Sequence, residues 1–402
     1  MAKTRVATDQ LMQPIAQFSL AQRVGDVIYV GATAGTDRRR ELAGYGPGRI
    51  DAAEQTAVML RNMSAALELL GGSTADVVRF KSYLNDWRDY GGYCLALNSH
   101  FGAGPPSRMT VGSRGFPLPQ AVVEADLVAV VGGGRRLGRL DDSTEPAVPG
   151  GEAILAAGQL YCTATPSGRP GEMLGRDAAA QTEQALRGLA GVLARGGMTL
   201  GEAVMLTVTL ADIRDYPEFE SVYRRFFSPP YPARTVVGAP LGTPDLRIAL
   251  ECVAHPGGGR PLQGLGALAV QGAASPGMLA GEVLYVGGQP GAGRDGRLPG
   301  GIEAQTAAAW RRIEALVLEA GMALDDVVCT TNVLTDWRHY GGFNSGFARF
   351  VAAPYPPRTT LSTLLPERSA LVQIEALAHR EGRNARVIEV AGSGAAPAEE
   401  GR

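Results

Sequence analysis

The segments Asp86-Trp87-Arg88-Asp89-Tyr90, Asp212-Ile213-Arg214-Asp215-Tyr216 and Asp336-Trp337-Arg338-His339-Tyr340 decide the fold, because they are one motif written three times at offsets of 126 and then 124 residues. Upstream, Glu54-Gln55-Thr56, Ala180-Gln181-Thr182 and Ala304-Gln305-Thr306 keep the same two offsets, and downstream so do the Pro-rich turns before Arg108, Arg234 and Arg358. Three anchors in one register define three tandem copies of one unit.

Apolar runs broken by glycine, such as Val27-Ile28-Tyr29-Val30-Gly31 and Val283-Leu284-Tyr285-Val286-Gly287, open the unit as strands. From Ala304 to Gly321 apolar residues recur at helical spacing, with Trp310 on the core face and Gly321 placed as the stop. A strand over Cys329–Leu334, a second helix over 340–350 and two strands flanking the turn after Arg358 complete an α+β unit of order β-β-α-β-α-β-β. The periodic signals lapse in Gly/Pro-rich stretches at 132–151 and 256–266. The units are therefore placed at residues 1–134, 150–256 and 264–390, and the Ala/Gly/Glu-rich segment 391–402 reads as a disordered tail.

Composition narrows the function. The formal net charge of the 402 residues is −2, and the cations, nearly all arginine, are spread along the chain, which argues against nucleic acid or an anionic membrane as partner. Four cysteines and four histidines show neither CxxC nor HxxxH spacing, so no metal centre is expected. Cys252 has no histidine beside it and is not read as a nucleophile. No stretch approaches the roughly 20 apolar residues of a bilayer span, and the expectation is a soluble, cytoplasmic protein.

A sheet covered by two helices on one face leaves its other face apolar, so each unit must pack on its neighbours. In the last strand of repeat 3 Val372, Ile374, Ala376 and Ala378 alternate with Leu371, Gln373, Glu375 and Leu377, so the carboxylate points away from the fully apolar side, and in repeat 2 Glu251 lies between Ala249 and Val253 on its face. A charge among apolar neighbours needs a partner. The candidates are Arg108, Arg234 and Arg358, whose planar forks suit a carboxylate. Two readings stand side by side. Arginine and acid form an architectural ion pair, or the arginine grips a ligand carboxylate while the acid handles a water molecule.

Pro357-Arg358-Thr359-Thr360, Val372-Gln373-Ile374-Glu375-Ala376-Leu377-Ala378, Val286-Gly287-Gly288-Gln289 and Ala304-Gln305-Thr306 resemble the Rid family of reactive intermediate/imine deaminases, most of them single units that form homotrimers. The resemblance recurs once per copy. It implies a chorismate-mutase-like unit and an intramolecular pseudo-trimer around a central barrel-like sheet core, monomeric as a chain, with further association compatible. It also implies cofactor-free hydrolysis of a small carboxylate-bearing enamine or imine, such as 2-aminoacrylate or a 2-imino acid, to a 2-keto acid and ammonia.

By the same carry-over Arg358, Arg234 and Arg108 would hold the substrate carboxylate, and Glu375, Glu251 and Asp126 would orient water, with Glu124 falling at the place of Gln373. Gly288, Gln289, Gly158, Gln159, Gly31 and Phe18 would line the substrate. Where the family usually carries Ser-Gly-Gln, this chain has Val30-Gly31-Ala32, Ala157-Gly158-Gln159 and Gly287-Gly288-Gln289, and Phe18 replaces a family tyrosine. The clefts have thus diverged, and one or two are expected to work, with Arg358 and Glu375 first. Remodelled hydrolysis, dehydration or cyclisation in a biosynthetic pathway, or carboxylate binding without turnover, are the alternatives. Cyanuric acid hydrolases and barbiturases also have three related repeats but rely on Ser–Lys pairs, and only Lys81 lies inside a repeat here.

Overall fold

In the computed structural model, the described residues are 4–6, 11–12, 14–102, 104–138, 153–166, 175, 177–265, 272–382 and 388–390; the expected tail at 391–402 lies outside them. Each repeat has a long helix, α1 (Ala52–Leu69), α3 (Ala178–Arg195) and α5 (Ile302–Glu319), and a shorter one, α2 (Tyr90–Phe101), α4 (Tyr216–Phe226) and α6 (Tyr340–Phe347). Asp51 and Asp177 cap the first two long helices, accepting from the amides of Glu54 and Ala180 at 2.9 and 2.7 Å. Asp51→Ala should cost about 1 kcal/mol in urea denaturation, the usual value of such a cap.

The repeated motifs are structural clamps. Gln55, Gln181 and Gln305 accept from the backbone amides of Val122, Arg247 and Leu371 at 3.0, 2.8 and 2.8 Å, pinning each long helix to the start of its last strand. Asp86, Asp212 and Asp336 accept from the amides two residues on and fold the chain into a turn. Tyr90, Tyr216 and Tyr340 then open the short helices at one fixed position.

In all three sheets the second hairpin strand pairs antiparallel with the last strand, which pairs with the middle strand, which runs parallel to the arginine strand at the edge. The helices bury one face of each sheet. Trp310 is completely buried there, as its helical position predicts. The stretches where periodicity lapses hold short strands: Arg135–Arg136 and Arg260–Leu262 each pair with the first strand of the repeat that follows, and Thr4–Val6 does the same for the first repeat while also pairing with Ile388–Val390.

The opposite faces of the three sheets pack on one another, as their apolar character requires. One shared cluster joins Tyr83 and Met109 with Val237 and Leu246 and with Val333 and Leu361, one pair from each repeat. Among the described residues the three sheets do not close into the expected central barrel-like core. The sheets remain separate, and neighbours meet at single bridges, Ser19–Pro357, Ala233–Ser275 and Gly238–Leu364. Bulges between Val30 and Thr33 and between Val286 and Gln289 break the ladders where repeat 1 approaches the arginine strand of repeat 3 and repeat 3 approaches that of repeat 2, and a bulge leaves backbone groups out of register for continuous pairing.

Candidate functional site between repeats 1 and 3

Strand register separates the residues that the repeat pattern seemed to pair. Thr330 lies opposite both Arg358 and Ala376, whereas Thr331 lies opposite both Thr359 and Glu375. Residues opposite one another share a sheet face, so Arg358 is on the helix side and Glu375 on the inner side. The expected Arg358–Glu375 and Arg234–Glu251 pairs are therefore not formed. The acids reach across repeats to the residue after the arginine: Thr235 donates to Glu375 at 2.7 Å and Thr359 donates to Asp126 at 2.9 Å. Glu251 instead accepts from Arg79 Nε at 3.0 Å.

What Arg358 does face is a cleft of about 430 Å3, bounded on its own repeat by Tyr340 and Thr360 and on repeat 1 by Met12, Phe18, Ala32 and Glu124. Its guanidinium is enclosed by rings, with Phe18, Phe343 and Phe347 centred 5.4, 5.3 and 4.9 Å from its central carbon. Nη2 donates to Asn344 Oδ1 at 2.7 Å and to the Tyr340 hydroxyl at 3.2 Å, while the buried Nη1 has no hydrogen-bond partner. Burial lowers the arginine's pKa from its ordinary value. Phe18 is held over the guanidinium because Ser19 hydrogen-bonds the carbonyls of Tyr355 and Pro356.

Gly31 makes the approach feasible, since a β-carbon there would stand 2.8 Å from the Arg358 backbone nitrogen. Glu124 supplies the carboxyl group. It is 7% exposed, lines the cleft and has no hydrogen bond or ion pair among the described residues. Burial pushes its pKa up to about 8, so at neutral pH the carboxyl largely keeps its proton.

The other clefts differ at matching positions. Arg234 abuts Gly287 as Arg358 abuts Gly31, but its Nη2 donates to Glu220 at 2.7 Å and its charge is answered inside its own repeat. The matching residue in repeat 3 is the neutral Asn344, and in repeat 1 it is Cys94. Ser275 is anchored to Tyr231 and Pro232 as Ser19 is to Tyr355 and Pro356, which makes Ala274 the counterpart of Phe18 and leaves Arg234 without that ring. Gln373 stands where Glu124 does, and it donates to the Gly288 carbonyl at 3.3 Å. Gln289 turns away from the cleft, donating to the carbonyls of Pro276 and Gly287. Facing half-buried Arg108, the positions equivalent to Gly31 and Glu124 are Thr163 and Ala249.

Gly158 and Gln159 are not the counterparts of Gly288 and Gln289. Tyr161 pairs across its hairpin with Ile154 as Tyr285 does with Met278, which aligns Thr163-Ala164-Thr165 with Gly287-Gly288-Gln289. Gly158, at φ 73°, is in the hairpin turn, and Gln159 accepts from the Tyr161 hydroxyl at 2.9 Å. The structure thus brings Arg358, Gly31 and Phe18 together and adds Glu124 and Asn344. A signal for Asn344 is present in the sequence: it is the fourth residue after the repeated tyrosine, where the three copies read Cys, Glu and Asn.

Among the described residues no His/Cys/Asp/Glu cluster is arranged to hold a metal, and no helix is long and apolar enough to cross a membrane. Comparison with known proteins agrees with the repeat. The chain is 33% identical over 109 residues to the mitochondrial protein mmf1 of Schizosaccharomyces pombe, covering 26% of this chain and 67% of that one. It is 30% identical over 129 residues to a RutC family protein of Pyrococcus abyssi, covering 32% and 98%. The crystal structure of RidA from an Antarctic Psychrobacter species is 28% identical and covers 30% of this chain and 98% of that one at a TM-score of 0.29. A chorismatase crystal structure covers 76% of this chain and 93% of its own at a TM-score of 0.55 and 13% identity, a likeness of fold across the repeats. The family described as Endoribonuclease L-PSP matches residues 8–131, 143–256 and 265–380, and the chain belongs to that family, the Rid/YjgF family, three times over.

Proposed function

We propose that the protein is a cofactor-free imine/enamine hydrolase whose working site is the cleft between repeats 1 and 3. The observation that carries this reading is the Arg358 guanidinium, its Nη1 without a hydrogen-bond partner, lining one cleft together with protonated Glu124. The neutral Asn344 leaves the guanidinium charge for a ligand, and a carboxylate is the anion whose geometry matches a fork. Glu124 then delivers its proton to C3, the terminal enamine carbon of a substrate such as 2-aminoacrylate, leaving an iminium at C2. Water adds to C2 and gives a proton to the Glu124 carboxylate, the carbinolamine hydroxyl passes its proton to the nitrogen, and ammonia leaves to give the 2-keto acid. One water is consumed and the acid is regenerated, so no co-reactant is needed.

The walls from Met12, Ile15, Phe18, Ala32 and Pro117 are apolar, which favours 2-imino acids with an apolar side chain over hydroxylated ones. The test is to generate 2-aminoacrylate and the imines of leucine and phenylalanine in situ and follow keto acid release. Acceleration over buffer, abolished in the Arg358→Met variant, is expected. Saturable keto acid binding without acceleration would replace this reading with a carboxylate-binding protein.

A further inference from the structure

The three acids displaced from the clefts converge on a separate cavity of about 720 Å3, where the inner faces of the three sheets meet. Register fixes its layers. Asp126, Glu251 and Glu375 form one, and two residues further along the same strands Val128, Val253 and Leu377 form the next, with Tyr29, Tyr161 and Tyr285 directly opposite them. The cavity therefore has an acidic layer roughly 7 Å from an aromatic and aliphatic one.

The acids are not equally satisfied. Asp126 accepts from Arg79 Nη1 at 2.5 Å, the Tyr83 hydroxyl at 2.8 Å and Thr359 at 2.9 Å, and Glu375 accepts from Thr235. By the same cyclic order Glu251 would meet the residue after Arg108, but that residue is Met109, which offers no hydroxyl. Glu251 Oε2 is consequently buried without a hydrogen-bond partner, in a residue only 9% exposed that lines the cavity. An orphaned buried acceptor gives up its bond to water and gains none in return, and native structures keep few of them. Arg79 and Lys81 hold the Glu251 carboxyl below its ordinary pKa against the cost of burial, whereas burial raises that of Glu375. Glu251 is therefore the ionised carboxylate that keeps an unused acceptor.

We propose that this cavity binds a small primary ammonium carrying an apolar body, its nitrogen donating to Glu251 Oε2 and its body lying between Tyr29, Tyr161 and Tyr285. An ammonium supplies the missing donor together with a charge opposite to that of the carboxylate, and tyrosine rings accommodate both a cation and its apolar substituent. Because no cleft residue takes part, the proposal stands independently of the hydrolase reading.

The experiment is calorimetric titration of the full chain with phenethylamine, 2-phenylethanol and 3-phenylpropionate. Saturable binding of one phenethylamine per chain is expected, with the alcohol at least about tenfold weaker and the carboxylate undetectable. Glu251→Gln should weaken the amine about tenfold, and Arg358→Met should leave it unchanged. No saturable amine binding, equal affinity for amine and alcohol, or loss of amine binding in Arg358→Met would each overturn the proposal. The three-ligand comparison uses the unaltered protein, so the result does not depend on the Gln variant folding.

Discussion

Arg358→Met is expected to lower kcat/KM for a 2-imino acid by about 10²–10³-fold, while Arg234→Met leaves it within about twofold. A charge-assisted hydrogen bond to a carboxylate contributes roughly 1.5–3 kcal/mol, and loss of orientation at the reacting carbon adds to that. Methionine keeps much of the apolar bulk among Phe18, Phe343 and Phe347, so the fold should survive and the charge alone is tested. Arg358→Lys should recover little, because a single ammonium cannot bond Asn344 and Tyr340 and still present a fork. The contrast with Arg234 follows from Glu220, which already holds that guanidinium at 2.7 Å. Steady-state kinetics of both variants, with thermal melts as the folding control, decide the matter. Equal losses in the two would mean that the clefts are equivalent.

The second large effect is at Glu124, where activity and stability should both follow pH. If the neutral carboxyl is the proton donor, kcat falls as pH rises through about 8, and Glu124→Gln, which cannot transfer a proton, loses roughly 10²-fold or more. The stability effect has a definite sign. The folded pKa lies above the ordinary carboxyl value of 4.5, so in the window between them the folded state holds a proton that the unfolded chain releases. Stability from this group is full below about 4.5, declines through the window and levels off above about 8, by roughly 1.4 kcal/mol per pH unit. Between pH 6 and pH 9 urea denaturation should therefore cost the wild type about 2–3 kcal/mol more than Glu124→Gln. Identical pH profiles for the two proteins would remove Glu124 from the proposed role.

Period and spacing carried a large share of the architecture because they are local properties. The 126- and 124-residue offsets, the helical stripe through Trp310 and the alternation in the last strands each reflect a backbone geometry that a sequence records directly. Alternation even placed Glu124 and Asp126 on one face. What it left undecided was which face of the arginine strand carries Arg358 relative to Glu375, since that depends on a register between strands separated by a helix and a turn. The carry-over that paired Arg358 with Glu375 went wrong at that point, and one residue of register separates Arg358 from Thr359, which Asp126 touches.

Turn geometry misled in the same way. Ala157-Gly158-Gln159 matches a glycine-containing strand end in composition, yet the positive φ values of Ala157 and Gly158 belong to a hairpin turn, and only the pairing of Tyr161 with Ile154 reveals it. Three units, the order of elements in each and the meeting of their apolar faces are legible in the chain, because they follow from local periodicity and from the cost of wet hydrocarbon. That Arg358 lines a cleft with Glu124, that Glu220 occupies Arg234, and that Asp126, Glu251 and Glu375 share a cavity of their own came from the folded molecule alone. Those outcomes depend on which side chains of different repeats meet, and such contacts are fixed by the packing of three sheets rather than by any one segment.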